Sequence, residues 1–151
     1  MRKITCFITA LVFSLCFVSL ASSNQPRIVD LGNGIYQDNK TGLMWQHGKS
    51  RRLLRSQEAA LQYAATIGLG GHTDWRLPTM EERWVLLEAF TDNENGGLEF
   101  PKYTSKFWTT ETEKGIAPVK MELSCMCLGN KELEFKKKGY VRVVRSEKSV
   151  Q

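Results

Sequence analysis

The segment Asp-Trp-Arg-Leu-Pro-Thr at residues 74–79 constrains the fold of this chain more than any other feature. Pro78 fixes its own φ angle and favours an extended conformation at the residue before it, so no helix runs through this point. Thr79 lies three residues before Glu82, which is the capping-box spacing of a helix N-terminus. The sequence therefore predicts an extended segment that changes abruptly into a helix.

Hydrophobic spacing predicts two helices near the centre of the chain. From Ser56 to residue 67 the apolar residues follow a helical period, and a run of glycines ends it. A second helix is expected over about residues 80–90. Its apolar stripe is formed by Met80, Trp84 and Leu87.

Strands are predicted on both sides of these helices. Residues 28–37 alternate in polarity around a Gly-Asn-Gly turn, which indicates a hairpin. Further strands are expected over residues 43–46, 107–110, 119–123 and 140–144, and a charged hairpin tip over residues 131–138. Strands that flank two central helices predict an α+β domain with an antiparallel sheet.

The N-terminus predicts export. A basic start, an apolar run and small residues near position 21 are typical of a cleaved signal peptide over residues 1–23. An uncleaved membrane anchor is the alternative. Loss of Arg2 and Lys3 lowers the formal charge from +5 to +3, a mild balance that permits attraction to acidic polymers. We expect residues 24–151 to form one domain. This domain is expected to lie in the periplasm of a bacterium, to be secreted from the cell or to be displayed on the cell surface.

The cysteines leave several alternatives open. Cys6 and Cys16 are removed with the signal peptide, and Cys125 and Cys127 remain. Two thiols at this spacing on a strand face the same way, which suits a strained disulfide, a pair of structural thiols or a soft site for Cu(I). A redox or catalytic role is a further alternative, and the identity of any metal is unknown.

Aromatic residues have two competing interpretations. The chain has four tryptophans, Trp45, Trp75, Trp84 and Trp108. Their ring faces suit carbohydrate stacking, but their apolar neighbours favour burial in the core. Asp74 and Arg76 flank one of these tryptophans and point to the same side of an extended segment. We expect them to be structural, because the guanidinium fork of an arginine satisfies loop carbonyls and carboxylates together.

Two basic clusters are the candidate ligand-binding residues. The first cluster is Lys49, Arg51, Arg52 and Arg55, and the second is Lys136, Lys137 and Lys138. If the first helix starts early, Arg51 and Arg55 share one of its faces, while the second cluster caps the final hairpin. Such clusters bind sulfated or uronic polysaccharides through charge-assisted contacts, and solvated surface residues are the alternative. Nucleic acid is not expected as a partner, because few exposed aromatics lie between the basic residues.

The sequence contains no recognisable catalytic pattern. Two isolated histidines, with no Ser-His-Asp order, zinc-protease motif or glycine-rich phosphate loop, favour a protein that is not an enzyme and holds no cofactor. The composition of the acidic loop at residues 92–97 is similar to that of a calcium-binding loop, but Gly96 occupies a position where such a loop needs an oxygen ligand. A solvated turn is therefore favoured there.

Several sequence blocks occur in the order and spacing of a known bacterial family. They are D-x-x-T-G-L-M-W at residues 38–45, A-x-x-Y-A at 60–64, D-W-R-L-P-T at 74–79, W-T-T at 108–110 and Y-V-R-V-V-R at 140–145. Over about residues 27–145 the chain resembles the C-terminal domain of the Legionella collagen-like adhesin, the Lcl C-terminal domain family. The Arg-Leu-Pro-Thr and Val-Arg-x-Val-Arg blocks are also similar to C-type-lectin-like folds, including formylglycine-generating enzymes.

This resemblance implies a C-type-lectin-like fold in which the motif residues are structural. Those residues are Trp45, Asp74, Trp75, Arg76, Pro78, Thr79, Trp108 and Arg142. The adhesin domain binds sulfated glycosaminoglycans, so the resemblance implies an exported binding or adhesion module, and an acidic polysaccharide is the ligand we expect. One alternative is a metal-handling or redox protein built on Cys125 and Cys127. Another is an envelope assembly subunit that docks a protein partner.

Overall fold

A computed structural model of the protein describes residues 26–91, 94–98, 105–123 and 131–146. The strands are β1 (Ile28–Gly32), β2 (Ile35–Asp38), β3 (Leu43–Gln46), β4 (Phe107–Thr112), β5 (Gly115–Leu123), β6 (Lys131–Phe135) and β7 (Val144–Ser146), and the helices are α1 (Gln57–Thr66) and α2 (Met80–Thr91). This mixture confirms the α+β class. Within the described residues, neither helix has the length and apolarity needed to cross a membrane.

Both helices begin where the sequence predicts. Ser56 is the N-cap of α1, and its hydroxyl accepts a hydrogen bond from Ala59 N at 3.2 Å. Before α2, the Thr79 hydroxyl accepts from Glu82 N at 3.1 Å, and the Glu82 carboxylate accepts from Thr79 N at 2.8 Å. This reciprocal pair is the predicted capping box, and it starts α2 directly after Pro78.

The strands form two antiparallel sheets, a division that the sequence order did not predict. The first sheet has the order β1-β2-β3-β7, and the second has the order β4-β5-β6. The hairpin tip expected over residues 131–138 is wrong, because the first five of these residues form β6. There Lys120 of β5 lies opposite Glu134 of β6, a favourable pair of charges. The strand expected over residues 140–144 also begins later, at Val144, where pairing with β3 starts.

Backbone contacts join sequence blocks that are far apart in the chain. Arg76 and Val144 exchange two backbone hydrogen bonds, each 2.9 Å long. Thr110 N donates to Pro78 O at 2.9 Å, which ties β4 to the same extended segment. The segment before α2 therefore lies between the two sheets and bonds to a strand of each.

Apolar residues from all five sequence blocks meet in one core cluster. Its buried members are Ile35, Met44, Ala60, Ala64, Trp75, Leu77, Trp108, Val141 and Val143. Each of the five blocks contributes at least one residue to this cluster. The small side chains of Ala60 and Ala64 are fully or almost fully buried, so they bring α1 close to the tryptophans. The blocks that carry the family resemblance thus specify packing.

Candidate ligand-binding surface

The two basic clusters lie on chain segments that pair with each other. Leu54 N donates to Gly139 O at 2.8 Å, and Gly139 N donates to Leu54 O at 3.0 Å. The two backbones are antiparallel at this isolated bridge, and Arg55 and Lys138 each adjoin one of its two residues on the same side. Clusters that are distant in sequence therefore share one region of the surface.

Further hydrogen bonds fix the loop of the first cluster. Ser50 N donates to Val141 O at 2.8 Å, and the Ser50 hydroxyl accepts from Val141 N at 3.0 Å. The same hydroxyl donates to Arg52 O at 2.9 Å. The loop that carries Arg51 and Arg52 is thus tied to the C-terminal segment on both sides, at Ser50 and at Leu54.

Gly139 allows the segment of the second cluster to lie close to the second sheet. A Cβ atom at this position would lie 2.7 Å from Pro118 Cβ and 3.1 Å from Lys106 O. At both distances the neighbouring atom would have to shift, so the close approach of the two segments requires glycine at position 139. Lys136 N donates to Pro118 O at 2.8 Å and holds the same segment against β5.

The cationic side chains differ in their neighbours. Arg51, Arg52, Arg55 and Lys137 are exposed, and Lys138 is half-buried. Lys136 forms an ion pair with Glu134 of β6, which offsets its charge. The Lys49 ammonium lies over the ring of Tyr140, 3.7 Å from its centroid. We use the term cationic surface for Arg51, Arg52, Arg55, Lys137 and Lys138.

The feature that brings the basic residues together is not the helical spacing that the sequence suggested. Because α1 begins at Gln57 after its N-cap, Arg51 and Arg55 precede the helix and do not share a helical face. The second cluster follows β6 and does not cap a hairpin. Tertiary pairing of the backbone at Leu54 and Gly139, which one-dimensional spacing does not reveal, brings the clusters together.

All four tryptophans lie inside the molecule. Their exposed fractions are 1% for Trp45, 4% for Trp75, 9% for Trp84 and 5% for Trp108. The ring faces are therefore occupied by core packing and do not form a surface platform for sugar rings.

Asp74 and Arg76 each form an ion pair within the fold. Arg145 Nε donates to Asp74 Oδ1 at 2.8 Å, and Arg76 Nη1 donates to Glu82 Oε2 at 2.8 Å. The Arg76 side chain is 44% exposed, so it is not the buried group that a core role would require. Burial by itself raises the pKa of Glu82, but hydrogen bonds from Arg76 and Thr79 outweigh it and hold that pKa below its ordinary value.

Besides Arg145, two more of the described arginines are buried, Arg142 and Arg83, and sequence reasoning missed Arg83. Arg142 donates to two carbonyl oxygens of the loop after β3, at 2.9 and 3.2 Å. Arg83 of α2 donates through Nη1 to Thr109 Oγ1 at 2.7 Å and to Val119 O at 3.0 Å. Burial lowers the pKa of each guanidinium to about 9, so both remain cations at neutral pH. The burial of Arg83 could have been predicted from its position four residues before Leu87, which places it on the buried face of the helix.

Some predicted site residues lie outside the described residues. Cys125 and Cys127 are among them, as are Asp92 and Asn93 of the acidic loop. Glu94, which is described, accepts a hydrogen bond from Arg27 Nη1 at 2.9 Å. The part of the chain that the structure describes contains no group of three or more His, Cys, Asp or Glu side chains that could hold a metal ion.

The architecture defines the protein as a small α+β domain with two antiparallel sheets and a cationic surface beside the Leu54–Gly139 bridge. Residues 34–145 match the model of the Lcl C-terminal domain, and the chain belongs to this family, which is associated with adhesins. The match confirms the resemblance that the sequence blocks indicated. Neither the curated proteins nor the solved structures gave a match to the chain.

Proposed function

We propose that the protein is a non-catalytic binding module for an acidic or sulfated polysaccharide, which it holds on the cationic surface. The observation that carries this proposal is the Leu54–Gly139 bridge, because it places the two basic clusters side by side. Arginine presents a planar fork of donors that matches sulfate and carboxylate groups. Three of the five cations of the surface are arginines.

Because the two basic clusters lie close together, they attract an anionic polymer more strongly than the same charges spread across the protein would. At physiological ionic strength, exposed charges more than about 8 Å apart are largely screened from each other. Residues opposite each other in an antiparallel pair have Cα atoms about 4.5–5.5 Å apart. Arg55 and Lys138 each adjoin one residue of the paired Leu54 and Gly139, so they act on the same stretch of an anionic polymer. Since binding to a polyanion releases its counterions, we expect the affinity to fall steeply with salt.

A C-type-lectin-like architecture and export from the cell are parts of the same proposal. The first sheet contains both β1 and β7, the first and last described strands, which brings the ends of the domain together. Residues 1–23 have the pattern of a signal peptide. An exported domain encounters envelope and extracellular polysaccharides, and nucleic acid is not the partner we propose.

Heparin chromatography in a salt gradient tests the proposal, with variants that each remove two positive charges. The variants are Arg52→Ala/Arg55→Ala, Lys137→Ala/Lys138→Ala and, as a matched control, Lys40→Ala/Lys114→Ala. Lys40 and Lys114 are exposed in the turns after β2 and between β4 and β5, outside both basic clusters. We expect each cluster variant to elute at clearly lower salt than the wild type, and the control to elute close to it.

Two outcomes contradict the proposal. An equal shift in all three variants shows that retention depends on net charge alone. Elution of the wild-type protein at low salt shows that no polyanion site exists, and it favours docking of an envelope protein instead. Elution with free competitors distinguishes the polymers, because heparin is expected to displace the protein more effectively than desulfated heparin or duplex DNA.

A further inference from the structure

A small cavity that is partly open to the outside lies among buried side chains beside α2. Its volume is about 30 Å³. A cavity of roughly 10–15 Å³ already holds one water molecule, so this space admits about two water molecules or one larger ion. Trp45, Arg83, Phe107 and Arg142 line it, and all four are buried. The cavity is therefore separate from the cationic surface.

The polar side chains of the cavity wall are donors. Arginine and tryptophan side chains carry N–H groups and no acceptor. The indole N–H of Trp45 has no hydrogen-bond acceptor among the described residues, although the side chain is 1% exposed. The hydrogen bonds that Arg83 makes to described residues all leave from Nη1. An occupant that accepts several hydrogen bonds fits this wall.

The positive charge of the cavity wall also favours an occupant that accepts hydrogen bonds. The guanidinium carbons of Arg83 and Arg142 lie 5.3 and 4.9 Å from the centroid of the Phe107 ring, so two cations contact one aromatic side chain. Among the salt bridges that the described residues form, none includes Arg83. A buried cation without a carboxylate is costly, and attraction to an aromatic face offsets only part of that cost.

We propose that this cavity binds a small monovalent anion of the halide class, with chloride as the physiological candidate. The anion accepts hydrogen bonds from Trp45 and Arg83, and its charge balances that of Arg83. The apolar side chains of Leu86, Leu87 and Met121 form much of the rest of the wall. The volume excludes sugars and polymers, so the site acts on stability and is independent of the polysaccharide surface.

Urea unfolding at increasing sodium chloride, with sodium gluconate to hold the ionic strength constant, tests the proposal. An anion that binds only the folded state raises the free energy of unfolding with its concentration, which gives an apparent dissociation constant. Trp45→Phe removes the N–H and retains most of the shape. We expect it to weaken chloride binding about tenfold or more, as the loss of a hydrogen bond to a charged group implies.

Trp108→Phe is the matched control, because its indole N–H donates to Leu54 O at 3.3 Å, away from the cavity. This variant is expected to lose stability without a change in the apparent chloride affinity. Equal chloride dependence in the wild type and both variants places the anion elsewhere and overturns the proposal.

Crystals of the wild-type protein grown in bromide provide a readout that does not depend on a variant folding. An anomalous peak between Arg83 and Trp45 is the expected result. Density without anomalous signal at that position, together with stability that does not respond to halide, identifies the occupant as water and refutes the anion site.

Discussion

The ion pair between Asp38 and Arg27 is expected to be a costly contact of the described residues to break. The Asp38 carboxylate is 1% exposed and accepts hydrogen bonds from Arg27 Nε and Nη2, both at 3.0 Å. Truncating one partner of a buried pair leaves the other charge uncompensated, which costs about 3–5 kcal/mol. We therefore expect Asp38→Ala to lower the free energy of unfolding by an amount near the lower end of that range.

The lower end is expected because Arg27 retains other acceptors. Its Nη1 donates to Glu94 at 2.9 Å, and its Nη2 donates to Val85 O at 3.2 Å. Asp38 also accepts from Lys40 N at 2.9 Å, so the substitution frees a turn amide as well. Each of these contacts is partly open to solvent, which limits the total loss in the free energy of unfolding.

Urea denaturation of Asp38→Ala, Arg27→Met and the double variant measures the pair directly. Because both substitutions remove the same contact, the double variant is expected to lose at least 1 kcal/mol less than the two single losses added together. A loss below about 1 kcal/mol for Asp38→Ala, with an unchanged slope on urea, is typical of an exposed ion pair and would refute this reasoning.

Three further predictions concern the bridge and the helix starts. Gly139→Ala forces a Cβ against Pro118, so we expect it to cost about 1–3 kcal/mol in urea denaturation and to lower the salt at which heparin releases the protein; normal retention would show that the bridge does not align the clusters. Ser56→Ala removes the N-cap of α1 and is expected to cost about 1 kcal/mol, while heparin retention stays unchanged because the bridge precedes the helix. The pKa of Glu82 is held below its ordinary value of 4.5, so the folded state binds fewer protons and its contribution is lost as the pH falls through the folded pKa. Glu82→Gln is therefore expected to be less stable than the wild type at pH 7 but to lose less stability between pH 5 and 3, and parallel losses for the two proteins would contradict this linkage.

Local rules predicted the elements whose signals are contained in a few neighbouring residues. The capping box at Thr79 and the N-cap at Ser56 have the expected hydrogen bonds. The Gly-Asn-Gly turn joins β1 and β2 as an antiparallel hairpin, as its composition indicated. In each case a side chain or a glycine satisfies a backbone requirement a few residues away, so the information is local.

Long-range features could not be predicted in the same way. Spacing assigned Lys136 to a hairpin tip and a ligand site, whereas it follows β6 and pairs with Glu134. Spacing also gave no reason to join Leu54 to Gly139, because the steric need for glycine comes from Pro118 on another strand. Arg83 was missed because charge predicts exposure on average, and burial at this position depends on acceptors that β4 and β5 supply.

The positions of the cationic surface and of the sequence blocks bear on how this domain can acquire a ligand. Arg51, Arg52 and Arg55 lie between two blocks, and so do Lys137 and Lys138. The blocks bury their tryptophans and alanines in the core, so substitutions there act first on stability. The loop at Ser50–Leu54, by contrast, is held by backbone hydrogen bonds that most side chains at positions 51 and 52 leave intact. The frame and the cationic surface are therefore separable in physical terms, and under the proposed function the charges at these positions select a ligand without altering the fold.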